Sequence, residues 1–289
     1  SKDITSATNK AYAHTVVQGV LKKIPYGKID NLAPAGSISS SINDMSHWVM
    51  AQLNGGKYND KQVIPQSAIM QTWTPNSILG NGGHRFNRAH FSLYGLGWFL
   101  EEYSGREIVS HTGGVNGFVT SVTLLPEEKL GIIVLTNTDD NNFYESLKYE
   151  IMDSYLGLPY RNYSQVHLTA HKRNQQKEAE WLQKMKYTIS LNRPTTLPLA
   201  SYAGTYEHDV YGKMTIAVEN KKLIARFEHH HGRYVTLEPL GGNNFLATFS
   251  DPLYGIKEWI FTVDKGKVRS VTVTMADFVE FTPYEFYKK

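Results

Sequence analysis

The hydrophobic period of this chain changes near Tyr202, and that change limits the possible folds more than any other feature. Before this point helix signals are common, whereas after it apolar and polar residues alternate in short runs about ten residues apart. Such alternation places every second side chain on one face of a strand, and even spacing with turns between the runs indicates a sandwich or barrel. We predict strands at 202–207, 213–219, 222–229, 233–240, 245–249, 256–264, 268–275 and 278–282.

The first 160 residues predict helices packed on a sheet. Residues 41–44, Ser-Ile-Asn-Asp, are typical of a capping box, so we expect a helix of about three turns that begins there and stops at Gly55. A shorter helix is expected from Pro65 to the residue before Pro75, and the apolar spacing over 143–155 predicts another. Strands are expected at 94–100, 106–112, 118–125 and 130–136.

These patterns divide the chain into three parts. At about 100 to 200 residues per domain, a chain of 289 residues predicts two domains, with a single domain as the alternative. A stretch rich in Lys and Glu separates them and reads as a solvent-facing helix. We therefore place the first domain at 1–160, a polar helical linker at 161–198 and an all-β domain at 199–289.

Composition excludes several classes of protein. A formal net charge of +3, from 30 Lys plus Arg against 27 Asp plus Glu, is too small to argue for a nucleic-acid or anionic-membrane partner. The sequence has no cysteine, which excludes disulfides, zinc-thiolate sites and a thiol nucleophile. No apolar run reaches the ~18 residues of a membrane-spanning helix. The first residues lack an initiator Met and an apolar signal core, so we expect any targeting peptide to be absent or already removed.

The segment most suggestive of a catalytic role is residues 110–118, Ser-His-Thr-Gly-Gly-Val-Asn-Gly-Phe. An imidazole, a hydroxyl and then glycines at an edge-like strand can bind an acyl substrate by backbone pairing. The same stretch can direct a backbone N–H at a developing oxyanion. Lys-Thr-Gly does this work in serine β-lactamases and penicillin-binding proteins.

Several motifs in order carry a family resemblance. They are Pro34-Ala35-Gly36-Ser37-Ile38-Ser39-Ser40-Ser41, Asp44-Met45-Ser46, Tyr94-Gly95-Leu96-Gly97-Trp98, His111-Thr112-Gly113-Gly114, and Gly117-Phe118 through Pro126 to Asn137. This set resembles the C-terminal half of serine β-lactamase-like, penicillin-binding-protein-like hydrolases, within the group of class C β-lactamases, D-alanyl-D-alanine carboxypeptidases and related esterases. Residues 200–283 resemble the lipocalin-like barrel appended to some members. The expected fold class is α+β: the C-terminal portion of a β-lactamase-like antiparallel sheet flanked by helices, followed by an all-β lipocalin-like barrel.

The resemblance implies a set of site residues. His111 and Thr112 would be the catalytic-cleft residues, in contact with a substrate carboxylate or with the catalytic hydrogen-bond network. Gly113 would allow close approach of a strand, and the N–H of Gly114 would be one of two oxyanion donors. Asn116 would belong to the same substrate-binding stretch. The resemblance implies no metal and no organic cofactor.

The family's nucleophile and general base do not occur in this sequence. No Ser-x-x-Lys is present, and Thr169-x-x-Lys172 is a near-match on the wrong side of the His-Thr-Gly strand. The literal Tyr-x-Asn match at 160–162 follows the last helix of the first domain, and the Ser-x-Asn at 41–43 lies inside the capping box, so we assign it to a helix start. We expect the chain to begin partway through the catalytic domain.

The functional hypothesis is a fragment of a serine hydrolase that cleaves amide or ester bonds through an acyl-enzyme, the isolated chain being inactive. A β-lactam, a D-amino-acid peptide or a small ester would be the substrate; histidine in place of the motif lysine favours a peptidase or esterase. The alternative is a non-catalytic binding or regulatory module. We expect the missing N-terminal segment or a second copy to pair with an exposed sheet edge. Otherwise we expect the chain to be a proteolytic product. The resemblance favours the cell envelope, the periplasm or secretion.

Two histidine-rich stretches have competing interpretations. Alternation would place His229 and His231 on one strand face, where they form either an incomplete metal site or an exposed barrel strand, and we favour the exposed strand. His84, Arg85, Arg88 and His90 either gate a cleft entrance or form a solvated loop, and we favour the loop.

Overall fold

The chain forms two compact units, 1–172 and 173–289. The structure is a computed structural model that describes residues 2–80, 86–87, 89–274 and 282–289. It confirms the predicted fold class, an antiparallel sheet flanked by helices followed by an all-β barrel. The division between the units falls within one long helix, and the predicted boundaries at 160 and 198 stay a prediction.

The first unit contains the following elements. Its helices are α1 (Lys2–Ser6), α2 (Ala33–Gly36), α3 (Ile42–Leu53), α4 (Gln66–Thr72), α5 (Phe143–Tyr155) and the start of α6 (Tyr163–Ser190). Its strands are β1 (His14–Val17), β2 (Val20–Lys23), β3 (Lys57–Tyr58), β4 (Lys61–Gln62), β5 (Ser77–Gly80), β6 (Ser92–Tyr94), β7 (Phe99–Tyr103), β8 (Arg106–Val115), β9 (Phe118–Leu125) and β10 (Leu130–Thr136). β5 to β10 form one antiparallel sheet in the order β10-β9-β8-β7-β6-β5, whereas β1–β2 and β3–β4 are separate hairpins.

Helices cover both faces of this sheet. On one face Val49 of α3 packs in a cluster with Val109 and Leu124. On the other face Met152 of α5 packs with Leu125 and Ile132. Alternate residues of β10 therefore enter different clusters, so this strand is covered on both sides.

The capping box is confirmed as the start of α3. The hydroxyl of Ser41 accepts a hydrogen bond from Asp44 N at 3.2 Å and donates one to the Asp44 carboxylate at 2.9 Å. The Ser41 hydroxyl thereby satisfies one of the free N–H groups of the first helical turn, and the Asp44 carboxylate holds that hydroxyl in place. Ser41 is therefore a structural residue, as the sequence analysis assigned it.

The predicted strand at 94–100 is wrong in its centre. β6 ends at Tyr94, the backbone turns, and β7 begins at Phe99. Gly95 N donates to Trp98 O at 2.8 Å, and a Cβ on Gly95 would lie 2.2 Å from Thr72 O. The glycines therefore form a tight turn pressed against α4, which alternation alone does not distinguish from a strand.

The second unit is a closed barrel. It contains the end of α6, α7 (Leu199–Tyr202), and the strands β11 (Gly204–His208), β12 (Gly212–Glu219), β13 (Lys222–Phe227), β14 (Val235–Gly241), β15 (Asn244–Phe249), β16 (Ile256–Asp264), β17 (Lys267–Val273) and β18 (Tyr284–Lys288). Each strand pairs antiparallel with the next, and β18 closes on β11. Large aromatic side chains fill the interior, and each is at most 2% exposed: Tyr202, Tyr206, Phe245, Trp259, Phe261 and Phe286. The barrel interior is thus a packed core.

Two details of the barrel differ from expectation. β13 stops at Phe227, so the three histidines 229–231 lie in the turn before β14 and not on a strand face. The interpretation of His229 and His231 as an incomplete metal site depended on strand alternation, and it therefore loses its geometric basis. The predicted strand at 278–282 falls mostly on residues outside the described ranges, and the last strand pairs through residues 284–288.

A buried polar cluster ties the start of α6 to the sheet of the first unit. Tyr163 and Tyr103, each 1% exposed, donate to the two oxygens of the Asp153 carboxylate, at 2.8 and 2.5 Å. The Arg161 guanidinium lies 3.5 Å from the same carboxylate. Because a buried carboxylate is costly unless it is paired and hydrogen-bonded, each of these partners stabilises the cluster.

We expect Tyr163→Phe to lower the free energy of unfolding by about 1.5–3 kcal/mol, the range for hydrogen bonds to charged groups. The change keeps the ring and removes only the hydroxyl. Chemical denaturation measures it. Tyr187→Phe, on the same helix at a residue that is 65% exposed, is the matched control and should have little effect. Equal effects of the two changes would contradict the assignment.

The same cluster predicts a loss of stability at alkaline pH. Burial raises the pKa of Tyr163, and burial together with the Asp153 carboxylate raises the pKa of Tyr103. In the unfolded chain both hydroxyls titrate near the ordinary value of about 10. Their stabilisation is therefore fully present below about pH 10 and is lost as the pH rises toward the folded values. The difference in unfolding free energy between the wild type and Tyr163→Phe should stay constant up to about pH 9 and shrink as the pH rises from about 10 to about 11, and a constant difference over the whole range would contradict this.

Candidate active site

The candidate site lies along the half of β8 that extends beyond β7. β7 pairs with β8 only from Tyr103 opposite Arg106 to Phe99 opposite Ser110. β9 pairs with β8 from Val109 opposite Leu124 to Val115 opposite Phe118. Residues 111–115 therefore have a strand partner on the β9 side and none on the β7 side among the described residues. We call residues 111–115 of β8 the open edge.

The turns at the two ends of β8 decide which backbone groups face the open edge. Two-residue turns connect β7 to β8 and β8 to β9, so Arg106 and Val115 each flank a turn and bond across it. In antiparallel pairs the bonded residues recur at every second position. Counting from Arg106, even-numbered residues bond toward β7; counting back from Val115, odd-numbered residues bond toward β9. The two counts agree, so Thr112 and Gly114 direct their N–H and C=O groups to the open edge.

The ring of His111 is held at the end of β7. Its Nδ1 lies 2.5 Å from the carbonyl oxygen of Thr112, and since a carbonyl only accepts, Nδ1 carries a proton. Its Nε2 lies 2.9 Å from Tyr94 Oη, and the ring stacks on Phe99 with centroids 5.2 Å apart. Both ring nitrogens of His111 are therefore engaged within the protein.

Two glycines, Gly113 and Gly114, leave part of the open edge without side chains. Gly113 and Gly114 are both exposed. A Cβ on Gly113 would lie 2.8 Å from Thr120 Oγ1, whereas a Cβ on Gly114 would meet no atom within 4 Å. Packing therefore does not require glycine at position 114, and the N–H of Gly114 faces solvent without a side chain beside it.

The turn at Asn116 and Gly117 fixes the far end of the edge. Gly117 N donates to Asp139 Oδ2 at 3.0 Å, and His14 N donates to Gly117 O at 3.2 Å. Asn116 packs its side chain against Gly27, where a Cβ would lie 3.3 Å from Asn116 Cγ. The structure thus places Asn116 in the turn that ends the open edge, beside the segment leading to α2.

The structure brings His111, Thr112, Gly113 and Gly114 together with two residues of the predicted strand 94–100 that the sequence analysis gave no role at the site. These are Tyr94 and Phe99, which enclose the His111 ring. The turn between β6 and β7 brings them there, because it pairs Tyr94 with Phe99. Gly95 and Gly97, at alternate positions in the sequence, were the available signal for this turn.

Other predicted positions lie apart from this edge or outside the described residues. His84, Arg85 and Arg88 lie outside the described residues, and their two interpretations stay open. His90 is exposed, with its ring 6.4 Å from that of Phe91. Within the described ranges no group of three or more His, Asp or Glu side chains could hold a metal ion. No helix in those ranges is long and apolar enough to cross a membrane.

Comparison with protein families identifies the first unit. Residues 3–156 match the Beta-lactamase family, and residues 190–288 match a domain of unknown function, DUF3471. The first match covers more than half of the chain. The protein therefore belongs to the Beta-lactamase family of serine hydrolases related to penicillin-binding proteins, and it carries a C-terminal barrel domain.

Curated relatives are longer than this chain. The unguisins hydrolase ungD of Aspergillus violaceofuscus is 28% identical over 78% of this chain and 43% of its own length. The unguisins hydrolase ungD' of Aspergillus campestris is 25% identical over 70% of this chain and 38% of its own length. Protein flp of Staphylococcus aureus is 28% identical over 36% of this chain and 18% of its own length. The chain spans about two fifths of the two hydrolases.

Solved structures with a similar arrangement include an octameric penicillin-binding protein homologue from Pyrococcus abyssi. That likeness covers 99% of this chain and 55% of the other, with 16% identity and a TM-score of 0.41. SurE is similar over 98% of this chain and 56% of its own, with 14% identity and a TM-score of 0.38.

Gly114 on the open edge and Gly117 in the turn that follows it should respond differently to alanine. Gly117 has φ +78°, and a Cβ there would lie 2.6 Å from both Ala13 Cβ and His14 N. We expect Gly117→Ala to cost about 1–3 kcal/mol through strain and overpacking. Gly114→Ala should change the free energy of unfolding by no more than about 0.5 kcal/mol. Denaturation midpoints test this, and an equal cost at both positions would show that folding requires glycine at 114.

Proposed function

We propose that this chain is the sheet portion of a serine hydrolase that cleaves an amide or ester bond through an acyl-enzyme. The nucleophilic serine and its general base would come from residues outside these 289. Family membership supports the hydrolase class. The observation that carries the finer proposal is the solvent-facing N–H of Gly114 on an open strand edge.

An open strand edge suits an acyl substrate for a simple reason. An extended substrate that pairs with the edge places its carbonyl groups in line with backbone N–H groups. Gly114 N–H then donates to the scissile carbonyl oxygen, and this bond strengthens as negative charge develops there. Such a donor is already fixed by the strand, so it needs no reorganisation during the reaction.

The proposed reaction has two halves. In the first, the serine oxygen bonds to the carbonyl carbon, the C–N or C–O bond breaks, and the leaving amine or alcohol takes up a proton. In the second, water attacks the resulting ester, the serine oxygen recovers a proton, and the acid product leaves. The Gly114 N–H serves both halves, because the oxyanion forms at the same place each time.

The proposed roles of the other residues follow from their positions. Thr112 N–H faces the same edge and would pair with the substrate backbone. His111, whose ring nitrogens are both engaged, would shape the end of the edge that lies against Phe99. Gly113 would allow the substrate to approach. Asn116 would close the opposite end. The substrate class stays open among β-lactams, D-amino-acid peptides and small esters, and the unguisins hydrolases favour the hydrolase over the module hypothesis.

A partner segment belongs to the proposal. β10 is the end strand of the sheet, with no strand on its outer side among the described residues. An unpaired edge strand is a template for another strand. We propose that a segment of the longer protein, or a second copy, pairs there. An exported or envelope location is likewise proposed, on the family resemblance.

We expect the isolated 289-residue chain to show no burst acylation by a labelled penicillin. A longer product of the same gene, with Ser-x-x-Lys and Tyr-x-Asn before residue 1, should be acylated. In that product Gly114→Pro removes the N–H and should slow acylation by about 100- to 1,000-fold, the usual effect of losing one oxyanion donor. Stopped-flow or gel measurements of labelled protein give the rates.

Gly114→Ala is the comparison for that test, because it keeps the N–H and should lose less activity than Gly114→Pro. Burst acylation of the isolated chain would overturn the proposal that the nucleophile lies elsewhere. A coding sequence that begins near Ser1 would favour the binding or regulatory module. A Gly114→Pro rate equal to that of Gly114→Ala would remove Gly114 as the oxyanion donor.

A further inference from the structure

We infer that Tyr94 is a positioning residue for the His-Thr-Gly strand. Its hydroxyl fixes the His111 imidazole in the Nδ1–H tautomer, and the fixed ring covers the carbonyl of Thr112. The open edge then offers two N–H donors, on Thr112 and Gly114, and a single uncovered acceptor, the Gly114 carbonyl. The tautomer stands on geometry alone, whereas its effect on catalysis rests on the proposed function.

The hydrogen bonds specify the tautomer. The Thr112 carbonyl oxygen can only accept, so the proton on His111 lies on Nδ1. A neutral imidazole then has a lone pair on Nε2, and Tyr94 Oη at 2.9 Å is placed to donate to it. The chain of bonds therefore runs from the Tyr94 hydroxyl through the ring to the Thr112 carbonyl.

The fold holds this chain of bonds at both ends. Tyr94 pairs with Phe99 across the turn of β6 and β7, and the two rings meet edge to face with centroids 5.0 Å apart. Phe99 also stacks against the His111 ring, with an interplanar angle of 30°. The imidazole is thus held by one hydrogen bond at each nitrogen and by one aromatic face.

The covered carbonyl changes what the edge can bind. The register places the C=O of Thr112 on the open edge, where it would otherwise accept from a pairing strand. Because His111 Nδ1–H occupies it, a substrate strand finds N–H groups at two positions and an uncovered C=O at one. The edge therefore favours a substrate segment rich in acceptors, such as consecutive ester or N-substituted amide carbonyls, over an ordinary peptide strand.

The tautomer is testable in the chain as it stands. Long-range ¹H–¹⁵N correlation of histidine-labelled protein should show His111 as Nδ1–H with an Nε2 shifted by an accepted hydrogen bond. His208 is the internal reference for the opposite tautomer, because its Nδ1 accepts from Val210 N at 3.1 Å. Tyr94→Phe should move the His111 Nε2 shift to that of a nitrogen without a bond. Tyr58→Phe, whose ring contacts that of His47, should leave His111 unchanged.

Each outcome decides the inference. An Nε2–H tautomer for His111 in the wild type, or an unchanged Nε2 shift in Tyr94→Phe with the fold retained, would overturn it. Should Tyr94→Phe unfold the chain, the wild-type tautomer still tests the inference. Phe99→Leu, which removes the ring in contact with both Tyr94 and His111, should then weaken the hydrogen-bond shift of Nε2, and an unchanged shift would count against the inference. In an acylating longer product, Tyr94→Phe should slow acylation about tenfold. Absence of all acylation would count against the proposed function and leave the tautomer result standing.

Discussion

The hydrogen-bond register of β8 is the constraint on which the candidate site depends. Two short turns, one at each end of the strand, fix which residues bond to β7 and which to β9. β7 begins at Phe99 and pairs with β8 only as far as Ser110. The hydrogen-bonding pattern of β8 continues beyond that point, and its groups there form the open edge. A slip of one residue would turn the N–H of Gly114 toward β9 and leave that of Gly113 at the edge. The geometry at Gly114 is therefore set by two turns, one directly after Val115 and one at the other end of the ten-residue strand.

Much of the fold could be predicted because local signals and tertiary packing agree. The strand at 130–136 was predicted at its observed bounds, since a proline-started turn precedes it and its apolar residues face helices on both sides. The helix at 143–155 was predicted equally well from its spacing. The strand at 94–100 failed where a tertiary contact, the approach of Gly95 to Thr72 O, decides the backbone path. The histidine run failed because β13 ends at its last inward residue, Phe227.

The candidate site, too, could be predicted only in part from the sequence. The sequence located the strand and its glycines, because a motif of adjacent residues is visible in one dimension. It did not reveal the partner of His111. Tyr94 lies seventeen residues earlier and reaches the ring only through the pairing of β6 with β7 and of β7 with β8. Two registers must be known before that hydrogen bond is visible, and the sequence predicted one strand where the structure has two.

The engaged histidine also bears on what the edge recognises. The resemblance implied contact with a substrate carboxylate or with the catalytic hydrogen-bond network, and the lysine of a Lys-Thr-Gly motif could supply a positive charge to such a carboxylate. The imidazole of His111 is held at both nitrogens, and because Tyr94 already occupies Nε2, the ring has no free nitrogen to offer a carboxylate. Under the proposed function, recognition at this edge rests on backbone donors, whose strength depends on position and not on net charge. Such an edge suits an uncharged ester, which agrees with the esterase part of the preference that histidine in this motif suggested.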